Sequence, residues 1–186
     1  MQAVVVGSSA GGPAALHDLL SRLSPDFPAP VVIVSHVGRG GGALLASGLA
    51  LHSALPVRPA AERAPLQAGH VYVAPDDYHL LMESHGRLAL SVDERVCFSR
   101  PCIDVLFASA ARVYRHELVG IVLSGANGDG AEGLRQIRRN GGTALIQDPS
   151  EAVVGAMPRM AQDRAGSDLC APVADLAAYL NGFVER

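Results

Sequence analysis

Near its amino terminus the chain carries Gly7, Ser8, Ser9, Ala10 and Gly11, a GxSxG pattern centred on Ser9, directly after a run of valines and directly before a helical stripe. Between a strand and a helix, such a turn pushes a serine hydroxyl out beyond the carboxyl end of a sheet, and small neighbours let the backbone bend sharply. The helix that follows contributes unpaired N–H groups and a positive dipole end, so the backbone near Ala10 can hold an oxyanion developing on an attacked carbonyl. A serine hydroxyl is a weak nucleophile until a base accepts its proton, and a neutral imidazole does this near pH 7. His36 ends the second valine-rich run, VVIVSH. In an open parallel sheet, ligand-facing residues collect at the carboxyl ends of neighbouring strands, so Ser9 and His36 can meet there. A third group must orient the imidazole. Asp129 in LSGANGDGAEG and Asp148 in LIQDPSE each follow a later strand, and spacing does not choose between them. Asp129 equally suits the N-cap of a helix beginning near Ala131.

Other chemistries fit less well. A dinucleotide site wants GxGxxG and an acidic residue at the end of the second strand; here the second strand ends in a base, His36. All fifteen basic residues are arginine, which excludes a Walker A loop, a pyridoxal Schiff base and a lysine general base. Asp76, Asp77 and His79 read as a solvated turn rather than a metal site, because no second His or Cys pair stands at ligand spacing. A net charge of -3 with dispersed arginines gives no footprint for nucleic acid. Cys97, Cys102 and Cys170 form an odd set without CxxC spacing, as expected of reduced thiols in a cytoplasmic protein. No apolar run approaches the roughly 18 residues of a membrane span, so no membrane insertion is expected.

The elements that must position these groups follow from the apolar pattern. Ala3–Gly7 and VVIVSH read as strands buried on both faces, GPAALHDLLSRL as an amphipathic helix with proline in its first turn, and Ala43–Ser53 as a second helix. GHVYVAP, YHLLMES and GRLALSV look like antiparallel strands or a hairpin attached to the main sheet. PCIDVLFASAARVY predicts a helix, LVGIVLSG a strand, GAEGLRQIRRN a helix, GTALIQ a strand and VADLAAYLNGFVER a closing helix. This alternation predicts one α/β domain over residues 1–186: a doubly wound, mostly parallel sheet in a three-layer α/β/α arrangement with an attached antiparallel hairpin.

The blocks GSSAGG, SHVG, GHVYVAP, RPCIDVLF, LSGANGDGAEGL and DPSEAVVGAMP, in this order and spacing, resemble the catalytic domain of the CheB chemotaxis methylesterases over almost the whole chain. The resemblance implies a cofactor-free serine hydrolase that demethylates γ-glutamyl methyl esters on the cytoplasmic helical bundle of methyl-accepting chemoreceptors, releasing methanol, with deamidation of receptor glutamines as a second activity. It implies Ser9 as nucleophile, His36 as base and Asp129 as orienting acid. It places oxyanion-binding N–H groups at Ala10 and Ala126, and Arg100 beside the cleft, toward an acidic receptor surface. The chain departs from the family pattern at Ser8 and Ala10, where alanine and threonine are usual, and at Ala126, where methionine is usual. HVGRGGG also replaces a proline-bearing loop. The family's N-terminal receiver domain is missing from the sequence as it stands, so control is expected from a separate regulatory protein. Two alternatives keep parts of this reading: a small-molecule serine esterase or amidase, and a non-catalytic binding module of the same fold, against which Ser9, His36 and Asp129 count.

Overall fold

The computed structural model describes residues 1–38, 40–96 and 98–184. Along the chain run β1 (Ala3–Ser8), α1 (Gly12–Ser21), β2 (Val31–Ser35), α2 (Gly41–Ala50), β3 (Val57–Pro59), β4 (Val71–Val73), β5 (His79–Glu83) and β6 (Arg87–Ser91). Then follow α3 (Ile103–Tyr114), a short 3-10 turn (Arg115–Glu117), β7 (Leu118–Val122), α4 (Ala131–Arg139), β8 (Thr143–Gln147), α5 (Ala156–Ala165), β9 (Leu169–Ala171) and α6 (Val173–Asn181). Seven strands form a sheet in the order β3-β4-β2-β1-β7-β8-β9, every pair parallel. β5 and β6 make a separate antiparallel pair.

The central strands are valine-rich without alternation because both of their faces are covered. Val4, Val6 and Ile33 pack with Leu16, Leu19 and Leu20 of α1 and Leu176 and Leu180 of α6. Val5, Val32 and Val34 face the opposite way, onto Ile103, Leu106 and Phe107 of α3, Leu134 and Ile137 of α4, and Leu80 and Leu88 of the hairpin. Burying each such side chain contributes about 1.5–3 kcal/mol. The sheet is therefore a rigid platform whose loops can be held in place.

Strand order decides where a ligand can sit. From β1 the chain first builds outward through β2, then returns to lay β7 on the other side of β1. The loop after β1 leads to α1 on one face, and the loop after β7 leads to α4 on the other. The two loops separate at the carboxyl edge and leave a crevice there, the usual ligand position in open α/β sheets.

The doubly wound fold is as the sequence predicts, with one internal correction. The first of the three middle segments, Val71–Val73, is a buried parallel strand between β2 and β3 and takes no part in a hairpin. A three-residue strand flanked by turn residues carries no local mark of its partner. β3, β9 and α5 were not expected from the sequence, and α2 starts at Gly41, two residues before the expected Ala43. Cys97 lies outside the described residues; Cys102 and Cys170 are free thiols. Among the described residues no helix is long and apolar enough to cross a membrane.

Candidate active site at the carboxyl edge of the sheet

Ser8 pairs with Ser35 at the ends of β1 and β2. Their buried hydroxyls share a 2.9 Å hydrogen bond, and the His36 N–H donates to the Ser8 carbonyl at 3.0 Å. Ser9 and His36 thus leave neighbouring strands at the same level. On the other flank, the Ser9 N–H donates to the Ser124 carbonyl at 2.9 Å, which carries the β1–β7 ladder one step past the strands. The glycines of GxSxG have separate reasons. A Cβ on Gly7 would stand 2.3 Å from Ile103 Cγ2, so only glycine lets α3 lie against the strand. Gly11 is the N-cap of α1 with φ +75°, and a Cβ there would meet Ser124 Oγ at 2.5 Å.

His36 meets Asp129 directly, Nε2 to Oδ2 at 2.8 Å. Asp129, in the loop after β7, is only 2% exposed and accepts three further bonds: Ile103 N–H on Oδ2 at 2.8 Å, Asp104 N–H on Oδ1 at 2.9 Å and the Cys102 thiol on Oδ1 at 3.1 Å. It therefore satisfies the first turn of α3, whereas α4 is capped by Gly130; the expectation that Asp129 suits the start of the helix at Ala131 gives way to a long-range cap. Burial alone would raise the Asp129 pKa, but the bonds from His36, Ile103, Asp104 and Cys102 outweigh it and hold the carboxyl below its ordinary value. Burial first, and then the Asp129 charge, push the Cys102 thiol up, so it stays a protonated donor. Asp104 is pushed up to about 6, chiefly by burial and further by Asp129, against the stabilising bond from the Gly133 N–H.

With Nε2 engaged by Asp129, Nδ1 is the free nitrogen of His36, and neither it nor the Ser9 hydroxyl makes a hydrogen bond among the described residues. Contacts of this kind often tighten only when substrate is seated. The N–H groups of Ala10 and Ala126 also find no acceptor among the described residues, and both alanines are exposed. Beside His36 lies a depression of about 140 Å³, lined by Val37, Arg95, Phe98, Ser99, Arg100 and Pro101. Arg100 fixes its wall, donating from Nη1 to the carbonyls of Val92 at 2.7 Å and Asp93 at 2.9 Å.

The other sequence candidates are occupied elsewhere. Asp148 turns back onto Ser150, accepting from its N–H at 2.8 Å and its hydroxyl at 2.7 Å. Asp76 accepts the Gly42 N–H at the start of α2, Asp77 pairs with Arg95, and His79 is buried with Nε2 on the Glu94 carbonyl. No cluster of three or more metal-ligating side chains occurs among the described residues. A larger concavity, about 840 Å³, opens at the amino-terminal edge near Gln2, Pro30, Tyr114 and Arg115. It lacks a paired acid and base, so volume and chemistry point to opposite edges, and the chemistry locates the site. Sequence reasoning missed Ser124 and Cys102, whose partners come from distant segments.

Comparison with known proteins identifies the scaffold on which these residues stand. The model of the CheB methylesterase family matches residues 4–180. A relative from Leptospira interrogans is 43% identical over 167 residues, 90% of this chain and 86% of its own length. A Symbiobacterium thermophilum relative named protein-glutamate methylesterase/protein-glutamine glutaminase is 41% identical over 174 residues; these cover 94% of this chain but only 48% of the relative. The chain thus spans about half the length of that protein. The crystal structure of the Thermotoga maritima CheB methylesterase catalytic domain superposes with a TM-score of 0.94 at 31% identity, covering 98% of both chains. The buried carboxylate, the imidazole bound to it and the serine turn on the adjacent strand therefore stand on a shared scaffold, and the chain belongs to the CheB methylesterase family.

Proposed function

We propose that this chain is a protein-glutamate methylesterase acting in the cytoplasm on methylated chemoreceptors, with Ser9, His36 and Asp129 as its triad. The observation that carries the reading is the 2.8 Å bond between His36 and the buried Asp129, one strand end away from Ser9. Asp129 orients the imidazole with Nε2 protonated, so Nδ1 acts as base. Ser9 Oγ attacks the ester carbonyl carbon while its proton passes to Nδ1. The N–H groups of Ala10 and Ala126 receive the oxyanion. Collapse breaks the bond to the methoxy oxygen, which takes the proton from Nδ1 and leaves as methanol. Water, deprotonated by Nδ1, then attacks the Ser9 ester and frees the glutamyl carboxylate and the serine hydroxyl. A receptor glutamine follows the same route with ammonia as leaving group.

The serine turn stands at an open rim, with Ser9 partly exposed and Ala10 and Ala126 exposed, which suits a side chain presented by a protein. Arg100 and the loop it pins form the rim against which the receptor bundle rests. Ser9→Ala is expected to cut methanol release from methylated receptor membranes by about 10⁴-fold or more, with receptor binding retained. Near-normal release would refute the assignment. Faster turnover of a small-ester panel than of methylated receptor would shift the substrate class.

A further inference from the structure

We infer that Ser124 is a positioning residue for the nucleophile turn: it clamps the backbone on both sides of one peptide and so aims the Ala10 N–H at the oxyanion. The inference rests on the triad reading above and adds a fourth side chain to it.

The local arrangement is asymmetric in an informative way. The Ser124 carbonyl accepts the Ser9 N–H at 2.9 Å, which fixes the peptide before Ser9. The Ser124 hydroxyl donates to the Ala10 carbonyl at 2.7 Å, which fixes the peptide after Ala10. Between them lies the peptide joining Ser9 to Ala10. Its carbonyl is held by the Gly12 N–H at 2.8 Å, while its N–H has no acceptor among the described residues. Three anchors around one free donor leave that donor a single direction, which is what preorganised oxyanion binding requires.

Ser124 is itself held rather than merely buried. Its N–H donates to the side-chain oxygen of Gln147 at 2.8 Å, and its hydroxyl accepts the Val154 N–H at 2.9 Å. Gln147 donates onward to Glu151 at 3.2 Å, and Glu151 accepts the Val173 N–H at the start of α6 at 3.1 Å. The chain of bonds ties the serine turn to the end of β8, the loop after it and α6, which packs beside α1 on the same face of the sheet. Ser124 is fully buried, and Gly11 leaves the room its hydroxyl occupies. A merely space-filling small residue would not need the hydroxyl; this one uses it as donor and acceptor at once.

Ser124→Ala removes that hydroxyl and keeps the carbonyl that holds Ser9. Methanol release should fall about 10- to 100-fold in kcat, with KM within about twofold, because the lost aim is felt only as charge develops on the carbonyl. Labelling of Ser9 by a small organophosphonate, which needs no receptor, should slow by a similar factor. Ser124→Thr, which restores the hydroxyl, should recover most of the loss. If Ser124→Ala proves too unstable to assay, Ser124→Cys, with similar volume and a much weaker donor, is expected to show the same loss in kcat. Wild-type kcat and labelling in a folded Ser124→Ala or Ser124→Cys would overturn the clamp, as would a loss confined to KM. The triad reading fails separately, if Ser9→Ala keeps its activity; an inactive Ser9→Ala beside a fully active Ser124→Ala sinks only the clamp.

Discussion

Two loops leave adjacent strands of the sheet and each carries an aspartate, yet they do different work. The loop after β7 buries Asp129 among four donors, two of them the first N–H groups of α3 and one the imidazole of His36. The loop after β8 spends Asp148 on its own turn, where the Ser150 hydroxyl and N–H lower the carboxyl pKa without any outside partner. The cause is position. β7 lies next to β1 at the point where strand order reverses, while β8 stands one strand further out. An acid therefore serves this site through the crevice it borders, and sequence context alone, which is similar in the two loops, does not reveal that.

The sharpest way to break the contrast is to exchange carboxylate for amide at both positions. Asp129→Asn should lower kcat by about 10³–10⁴-fold, since an amide no longer stabilises the imidazolium or fixes its tautomer. Asp148→Asn should keep methanol release within about threefold, and an equal loss at Asp148 would erase the distinction. A stability test comes next. Gly7→Ala would force a methyl onto Ile103 where α3 meets β1, and should lower stability by about 1–3 kcal/mol in urea unfolding, with activity falling as α3 and its bonds to Asp129 shift. The smallest effect concerns pH. Asp104, raised to about 6, adds stability that is fully present below its unfolded pKa near 4 and is lost as pH rises through about 6. Asp104→Asn should therefore unfold much like the parent at pH 4 and gain on the order of 1 kcal/mol at pH 7.5, after allowance for its partial exposure. Asp129, lowered, has the opposite sign: its contribution is present above about pH 4 and disappears on acidification. A melting-temperature series from pH 2 to 8 separates the two, the Asp129 contribution falling away below about pH 4 and the Asp104 contribution above it.

What the sequence made legible follows the same division between local and distant causes. β1, β2, β7 and β8 announce themselves as unbroken apolar runs, because burial on both faces leaves no alternation to read. Ser9 and His36 could be paired from those runs, since each ends a strand of a parallel sheet. The choice of Asp129 over Asp148 needed strand order, which residue patterns do not carry; only resemblance to a family supplied it. β3 and β9 are three residues long at the edges of the sheet, too short for any periodicity. Ser124 looks like one more small residue in a glycine-rich loop, and its four partners, Ser9, Ala10, Gln147 and Val154, lie between 23 and 115 positions away, so nothing local marks it.

Because the same carboxylate both binds the imidazole and fastens the amino end of α3, the proposed catalysis and the folding of the chain share a single foothold here. Selection acting on turnover at that position would at once be acting on the solidity of the helical layer behind it. A descendant that abandoned the reaction would still have cause to keep this aspartate, so its persistence in a chain is weaker testimony to activity than the serine or the histidine.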